Sequence, residues 1–140
     1  MFTRVDHVGI ACRDLDAAVR FYRSVHGLEV CDRQINNDQG VEEAMLRVNG
    51  TDDGAETYVQ LLVPTRPDSP VAKFLNSRGE GVHHIAFGCP DVDRAAADLQ
   101  AMGMNVLFLP PRPASMGSRA TFLHPHQCGG VLTEIVTKKG

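Results

Sequence analysis

The stretch HVGIACRDLD, residues 7–16, recurs as HIAFGCPDVD at residues 84–93. A histidine, a cysteine and two aspartates occupy matching positions in the two stretches, and apolar residues are matched between them. Each copy begins with a run of residues that favour β-strands, and Asp14 or Asp91 can then cap a following helix. The repeat therefore predicts two modules that open in the same way, with a strand followed by a helix.

The rest of each half predicts three further strands. In the first half, strands are predicted over residues 28–34, 43–48 and 57–63, with turn signals at 36–40 and 51–54. In the second half, strands are predicted over residues 104–109, 120–123 and 131–137, with a loop rich in Pro, Gly and Ser at 110–118. Each half therefore has the predicted order β-α-β-β-β.

The segment between the halves has the signature of a helix. Ser69 and Pro70 suit the N-cap and first helical position, and Gly79 suits the end. A length of 140 residues is typical of one domain. We therefore expect a single α+β domain over residues 1–140: module one at 1–64, a linker helix at 65–81 and module two at 82–140. The two modules are expected to form a curved mixed sheet around a metal site.

Composition excludes several classes of partner. The net charge of −3 provides no basic surface for nucleic acid, and the apolar runs are too short to span a membrane. The first strand is predicted to begin almost at Met1, which leaves no room for a targeting segment, so a cytoplasmic location is expected. Four cysteines without a Cys-x-x-Cys pair are expected to stay reduced.

Four residues at matched positions are candidate metal ligands. His7 and His84 correspond in the repeat, and each shares its strand face with glycine and alanine, which leaves space beside the imidazole. Gln60 in VQLLV and Glu134 in TEIVT each interrupt an apolar strand, at corresponding places. Any one of them could be a hydrogen-bonded core residue, but four matched residues favour a divalent-cation site.

A further carboxylate near the start of a strand is ambiguous from the pattern alone. Glu42 and Glu43 must point to opposite faces, and strand parity does not say which face lines a cavity. Two solvated charges at a strand start would explain both residues equally simply. The remaining histidines are expected to be structural or exposed: His26, His83, His124 and His126.

Several longer segments resemble a known family. They are DHVGIACRDLDAAVRFY at 6–22, QGVEEAML at 39–46, SPVAKFLNSRGEGVHHIAF at 69–87 and FLHPHQCGGVLTEIV at 122–136. The chain resembles the vicinal oxygen chelate superfamily, which includes glyoxalases and bleomycin resistance proteins, and within it the methylmalonyl-CoA epimerases. The resemblance spans essentially the whole chain. It implies a vicinal oxygen chelate fold, and metal ligands at His7, Gln60, His84 and Glu134.

The resemblance also implies an activity. The family's acid/base pair falls on Glu43 and Glu134, which selects Glu43 over Glu42. The implied isomerase interconverts (2R)- and (2S)-methylmalonyl-CoA by 1,1-proton transfer at C2 through a metal-stabilised enolate. The implied cofactor is Co²⁺, with Mn²⁺, Ni²⁺, Zn²⁺ or Fe²⁺ as alternatives, and the implied small-molecule partner is an acyl-CoA. A homodimer is expected because superfamily members commonly pair such modules across subunits.

Two other functions remain open at this level. The chain could be another metal-dependent enzyme of the superfamily, either a glyoxalase acting on a glutathione adduct or a ring-cleaving dioxygenase that uses iron. It could also be a non-catalytic drug-binding protein of the same fold, which would need no metal. Activity on methylmalonyl-CoA and metal analysis separate these alternatives.

Overall fold

The structure is a computed structural model that describes residues 1–48 and 56–139. The strands are β1 Arg4–Ala11, β2 Glu29–Asn36, β3 Val41–Arg47, β4 Tyr58–Pro64, β5 Gly81–Gly88, β6 Arg112–Pro113, β7 Arg119–Leu123 and β8 Thr133–Thr137. The helices are α1 Leu15–Ser24, α2 Pro70–Arg78 and α3 Val92–Ala101. The α+β class and the repeated β-α-β-β-β order are confirmed. The chain divides into two compact units, residues 7–83 and residues 1–6 with 84–140.

In the unit of residues 7–83, four strands follow the order β2-β3-β4-β1. Strands β1 and β4 run parallel, whereas β3 pairs antiparallel with both β4 and β2. Helix α1 covers one face, where Leu15 and Val19 pack with Leu46 and Leu61. Helix α2 packs Leu75 against residues of the opposite face. This second face is the one that carries Glu43 and Gln60.

In the unit of residues 1–6 and 84–140, the strands follow the order β5-β8-β7-β6. Strands β5 and β8 run parallel, and β7 pairs antiparallel with both of its neighbours. Helix α3 packs Val92, Ala96 and Leu99 against Leu123 and Ile135. This second arrangement repeats the first, with one helix on the face opposite to the predicted metal ligands.

The predicted helix starts are confirmed. The Asp14 side chain accepts a hydrogen bond from the Ala17 backbone N–H at 3.0 Å, and Asp91 accepts one from Arg94 at 3.2 Å. Ser69 caps α2 in the same way. Such caps typically stabilise a helix by about 1 kcal/mol. The caps of Asp14 and Asp91 thus start α1 and α3 at the same distance in sequence from the ends of β1 and β5.

One predicted strand is wrong. Residues 104–109 form only an isolated bridge, between Val106 and Leu123, and the edge position is taken by the two-residue strand β6. The prolines that follow, at 110, 111 and 113, have no backbone N–H to donate, which limits the ladder at this edge to the two residues of β6. The predicted turn at 51–54 lies outside the described residues.

The remaining bulk expectations concern membranes and cysteines. None of the helices in the described ranges has the length and apolar character needed to cross a bilayer. Cys12, Cys31, Cys89 and Cys128 are all free thiols, and Cys12 and Cys89 are buried. The two repeat-equivalent cysteines, Cys12 and Cys89, are thus small residues of the core.

Candidate functional site

Glu43 and Gln60 lie side by side on one face of the first unit. Met45 is opposite Gln60 and Glu43 is opposite Leu62 in the antiparallel ladder, so all four side chains share that face. Glu43 is only 2 % exposed, and the Nε2 atom of Gln60 donates a hydrogen bond to its Oε2 atom. A buried carboxylate is stable only when it is hydrogen-bonded or paired, and Gln60 supplies one such partner.

The neighbouring glutamate has a different environment. The Glu42 side chain is 33 % exposed and accepts a hydrogen bond from Nε of Arg33 at 3.0 Å. Parity places it on the face that Glu43 avoids. The sequence pattern left the two residues equivalent, and the structure separates a surface ion pair from a buried carboxylate.

A residue that the sequence analysis did not select also donates a hydrogen bond to Glu43. Gln34 on the edge strand β2 is opposite Glu43, and its Nε2 atom donates to the Glu43 Oε1 atom at 2.9 Å. Each oxygen of the carboxylate therefore accepts a hydrogen bond from a glutamine amide. The sequence gives little indication of this contact, because a polar residue such as Gln34 is common on an edge strand.

His7 lies on the same face of the first unit. It is buried on β1, where His7 is aligned with Tyr58 and Gly9 is aligned with Gln60. Gly9 has no side chain, so it leaves room on the face beside Gln60. The expectation that the first histidine shares its strand face with small residues is confirmed.

Tyr58 contributes a neutral hydrogen-bond donor to this face. Its hydroxyl donates to Oε1 of Glu56 at 2.9 Å, and both residues are buried. Burial first, and then the neighbouring Glu56 carboxylate, raise the pKa of the Tyr58 phenol to about 12. Tyr58 therefore stays protonated at neutral pH and is not suited to take up a proton there.

In the second unit, His84 and Glu134 are buried together. Nε2 of His84 lies 3.1 Å from Oε1 of Glu134. Ala86 is aligned with Glu134 between β5 and β8, just as Gly9 is aligned with Gln60 in the first unit. The ring of Phe122, which is opposite Glu134, packs edge-on against His84 with centroids 5.8 Å apart. His84 on β5 and Glu134 on β8 are thus adjacent across a pair of parallel strands, and Phe122 on β7 packs against the histidine.

The two units differ at the position that holds Glu43. In the ladder between β7 and β8, Ala120 is opposite Val136, as Glu43 is opposite Leu62 between β3 and β4. Ala120 is buried with Ala86 and Val136. The second unit therefore repeats the ligand position but replaces the neighbouring carboxylate with a methyl group.

The buried donors include a candidate metal-binding group. Among the described residues, the buried side chains of His7, His84 and Glu134 offer ligand atoms that could hold a metal ion. Two imidazoles and one carboxylate suit divalent transition metals, and the amide of Gln60 is a further oxygen donor. The donor set therefore fits the cofactor that the sequence predicts.

The other histidines have different surroundings. His26 packs edge-on against Phe21 and Tyr22, and His83 packs against Phe74. His124 is exposed, and its Nδ1 atom accepts the backbone N–H of His126. None of them joins the candidate group within the described residues, in agreement with their expected structural or exposed roles.

Comparison with known proteins identifies the fold family. The sequence profile of the Glyoxalase/Bleomycin resistance protein/Dioxygenase superfamily matches residues 6–122. A structure of Streptomyces coelicolor methylmalonyl-CoA epimerase has 58% sequence identity and a TM-score of 0.95, covering 100% of both chains. The Mycobacterium tuberculosis methylmalonyl-CoA epimerase has 37% identity and a TM-score of 0.92, over 99% of this chain and 90% of that one.

Among curated relatives, ethylmalonyl-CoA/methylmalonyl-CoA epimerase of Cereibacter sphaeroides is 34% identical, over 96% of this chain and 98% of its own length. The Streptomyces protein has been solved with 2-nitronate-propionyl-CoA as the variants E43Q, Q60A and S115T. This chain has Glu43, Gln60 and Ser115 at those numbers. The chain belongs to the Glyoxalase/Bleomycin resistance protein/Dioxygenase superfamily and, within it, to the methylmalonyl-CoA epimerase family.

Proposed function

We propose that this protein interconverts (2R)- and (2S)-methylmalonyl-CoA by moving the C2 proton of the acyl group from one face to the other. The observation that carries the proposal is the buried carboxylate of Glu43, whose two oxygens each accept a hydrogen bond from a glutamine amide. The names of the Streptomyces and Mycobacterium relatives support the choice of substrate.

The reaction requires one acid/base group on each side of C2. This carbon lies between a thioester and a carboxylate, so its proton is weakly acidic. In one direction Glu43 removes the proton as a carboxylate, and Glu134 returns a proton to the other face as a carboxylic acid. The roles reverse in the other direction. General acid–base catalysis of this kind contributes about 10²- to 10⁴-fold to a rate.

The assignment of Glu134 is implied by the family resemblance, and the difference between the units supports it. The position that corresponds to Glu43 is Ala120, which has no proton to exchange. Glu134 is buried on the same strand face as Ala120, and it is the carboxylate nearest to that position in the ladder. Glu134 is therefore given two roles, as acid/base group and as metal ligand.

We assign His7, Gln60, His84 and Glu134 as ligands of a divalent cation, with Co²⁺ as the first choice. Mn²⁺, Ni²⁺, Zn²⁺ and Fe²⁺ suit the same mixture of imidazole and oxygen donors. A bound cation would act as a Lewis acid on the thioester oxygen, where negative charge develops as the C2 proton leaves. Gln60 suits this role because its Nε2 atom is used by Glu43, which leaves the carbonyl oxygen as donor atom.

The acyl-CoA is proposed to contact the loop that precedes β7. Ser115 begins a short 3-10 turn that contains Met116 and Gly117, both with positive φ. The hydroxyl of Ser118 donates to the Ser115 carbonyl at 2.6 Å, so the loop is internally bonded. The S115T variant of the Streptomyces protein, solved with an acyl-CoA analogue, supports this placement.

Arg112, Arg119 and Lys73 are candidates for binding the CoA phosphates, and the two arginines differ in availability. The Arg112 guanidinium lies over the Phe108 ring, 3.9 Å from its centroid, and the residue is exposed. Arg119 makes two hydrogen bonds to Asp93, at 2.8 and 2.9 Å. We therefore assign phosphate binding to Arg112 ahead of Arg119.

We further propose that the chain acts as a single domain within a homodimer in the cytoplasm. The edge strand β2 exposes Ile35, and a second subunit would remove such apolar surface from water. Sedimentation equilibrium at micromolar concentration tests the dimer. A single species with the mass of the monomer would contradict it.

The decisive experiment follows the C2 proton directly. Each pure epimer of methylmalonyl-CoA is incubated with the cobalt-loaded protein in deuterated water, and the C2 position is followed by NMR. We expect deuterium incorporation and conversion to the other epimer. Ethylmalonyl-CoA tests tolerance of a longer side chain, and a glutathione hemithioacetal tests the glyoxalase alternative. Absence of C2 exchange in the metal-loaded protein would overturn the proposed function.

A further inference from the structure

The Glu43 carboxylate accepts hydrogen bonds from side chains on both neighbouring strands. Gln34 on β2 donates to its Oε1 atom at 2.9 Å, and Gln60 on β4 donates to its Oε2 atom. A carboxylate held at one oxygen can still pivot about that hydrogen bond, whereas donors on both oxygens fix the plane of the group. A carboxylate oxygen has two acceptor positions, so one hydrogen bond to each oxygen does not by itself prevent protonation of the group.

The strand register explains why Gln34 reaches Glu43. The pairing of β2 with β3 shifts between Val30 and Asp32, and beyond this β-bulge Gln34 is directly opposite Glu43. Its chain neighbour Ile35 points to the other face and is 60% exposed. A slip of one residue would place Ile35 or Arg33 beside Glu43 and remove the amide donor.

The two glutamines are not equivalent. Gln60 is a proposed metal ligand, so its replacement would disturb both the cation and the base. Gln34 lies on the far side of Glu43 in the strand order β2-β3-β4, and its side-chain contact is with Glu43. Replacing Gln34 therefore perturbs the base without removing a proposed ligand.

We propose that Gln34 is a positioning residue that fixes the orientation of the Glu43 carboxylate for proton transfer on one face of C2. This inference rests on the proposed function, because it assigns Gln34 to the same proton-transfer step. Misplacement of a reacting group by about 1 Å can reduce a rate by about 10²-fold. Loss of Gln34 should therefore affect the half-reaction that uses Glu43 and not the one that uses Glu134.

The test compares Gln34→Met, which keeps the length of the side chain but removes the amide, with Arg33→Met on the same strand. Arg33 contacts Glu42 and Asp16 on the opposite face, so this control perturbs the same strand pair without touching Glu43. Glu43→Gln first establishes which epimer depends on Glu43 for deuterium exchange at C2. Metal content and melting temperature are measured for each variant.

We expect Gln34→Met to slow exchange of that same epimer by about 10- to 100-fold through kcat, with KM changed less than about threefold. Exchange of the other epimer, metal content and the Arg33→Met control should stay within about twofold of wild type. Equal slowing of both epimers, loss of metal, or wild-type exchange in Gln34→Met would each overturn the positioning role. Wild-type protein that exchanges neither epimer would instead refute the proposed function.

Discussion

The side-chain amide of Gln60 donates a hydrogen bond to the carboxylate of Glu43 on the adjacent strand. This bond uses the amide nitrogen and leaves the carbonyl oxygen of Gln60 as the atom that can bind a cation. A single glutamine can therefore link the proposed base to the proposed metal site.

Glu43→Gln should retain metal but lose epimerisation. The substituted amide has nearly the same shape, yet it cannot take up a proton, and we expect a loss of about 10²- to 10⁴-fold in kcat. One epimer should still exchange its C2 proton with deuterium, because Glu134 remains. Epimerisation at the wild-type rate would contradict the two-base mechanism.

His84→Ala should remove tightly bound metal together with activity. His84 is buried next to Glu134, whereas the exposed His124 offers a matched control. Elemental analysis after purification should give low metal content in His84→Ala and wild-type content in His124→Ala. Full occupancy in His84→Ala would rule out His84 as a ligand, even if activity were reduced.

Glu134→Gln should weaken metal binding and catalysis together. The neutral amide is a poorer ligand than a carboxylate and cannot act as an acid or a base. Metal titration, monitored by isothermal calorimetry, should show a raised dissociation constant for the cation. Epimerisation should stay low even when excess cation restores occupancy, although the epimer that is deprotonated by Glu43 should still exchange its C2 proton. Recovery of full activity on saturation with metal would show that Glu134 is only a ligand.

Cys12 should make stability fall at alkaline pH. Burial, the largest cause, raises the pKa of its thiol from 9.0 to about 11 in the folded chain. The folded state therefore binds more protons than the unfolded state between pH 9 and 11, so this contribution is complete below pH 9 and is lost as pH rises through that interval. Two pKa units correspond to about 2–3 kcal/mol.

Urea denaturation at pH 8 and pH 11 measures this contribution. Cys12→Ala should lose less stability between the two values than wild type, although its stability at pH 8 will be lower because a buried group is removed. Tyr58, whose pKa is also raised, remains in both proteins and serves as an internal reference. An identical decline in the two proteins would contradict the role of Cys12.

Local chemical signals predicted the start of each module well. Asp14, Ser69 and Asp91 cap helices as expected, because an N-cap depends on residues within one turn. The repeat also matched His7 with His84 and Gln60 with Glu134, and strand parity placed each histidine on a face with small residues. These features depend on spacing, which the sequence records directly.

Features that depend on strand pairing could not be predicted in this way. Parity alone left Glu42 and Glu43 equivalent, and their different burial depends on the register of β3. The contact of Gln34 with Glu43 depends on the β-bulge near Val30, which no local motif predicts. Residues 104–109 form only the bridge between Val106 and Leu123, and the short edge strand β6 lies beyond them, where prolines limit the length of its ladder. Pairwise geometry between distant segments decided each case.

The exchange of Glu43 for Ala120 at corresponding positions also suggests a route for redesign. Ala86 and Ala114, which pack with Ala120, are themselves small, so this part of the core is lined by methyl groups. In a chain with both Ala120→Glu and Glu134→Gln, the second module would have the same arrangement as the first. A glutamine amide would bind the cation, and a separate carboxylate would transfer the proton. The internal repeat thus suggests how to design an enzyme in which neither of the two acid/base carboxylates is coordinated to the metal.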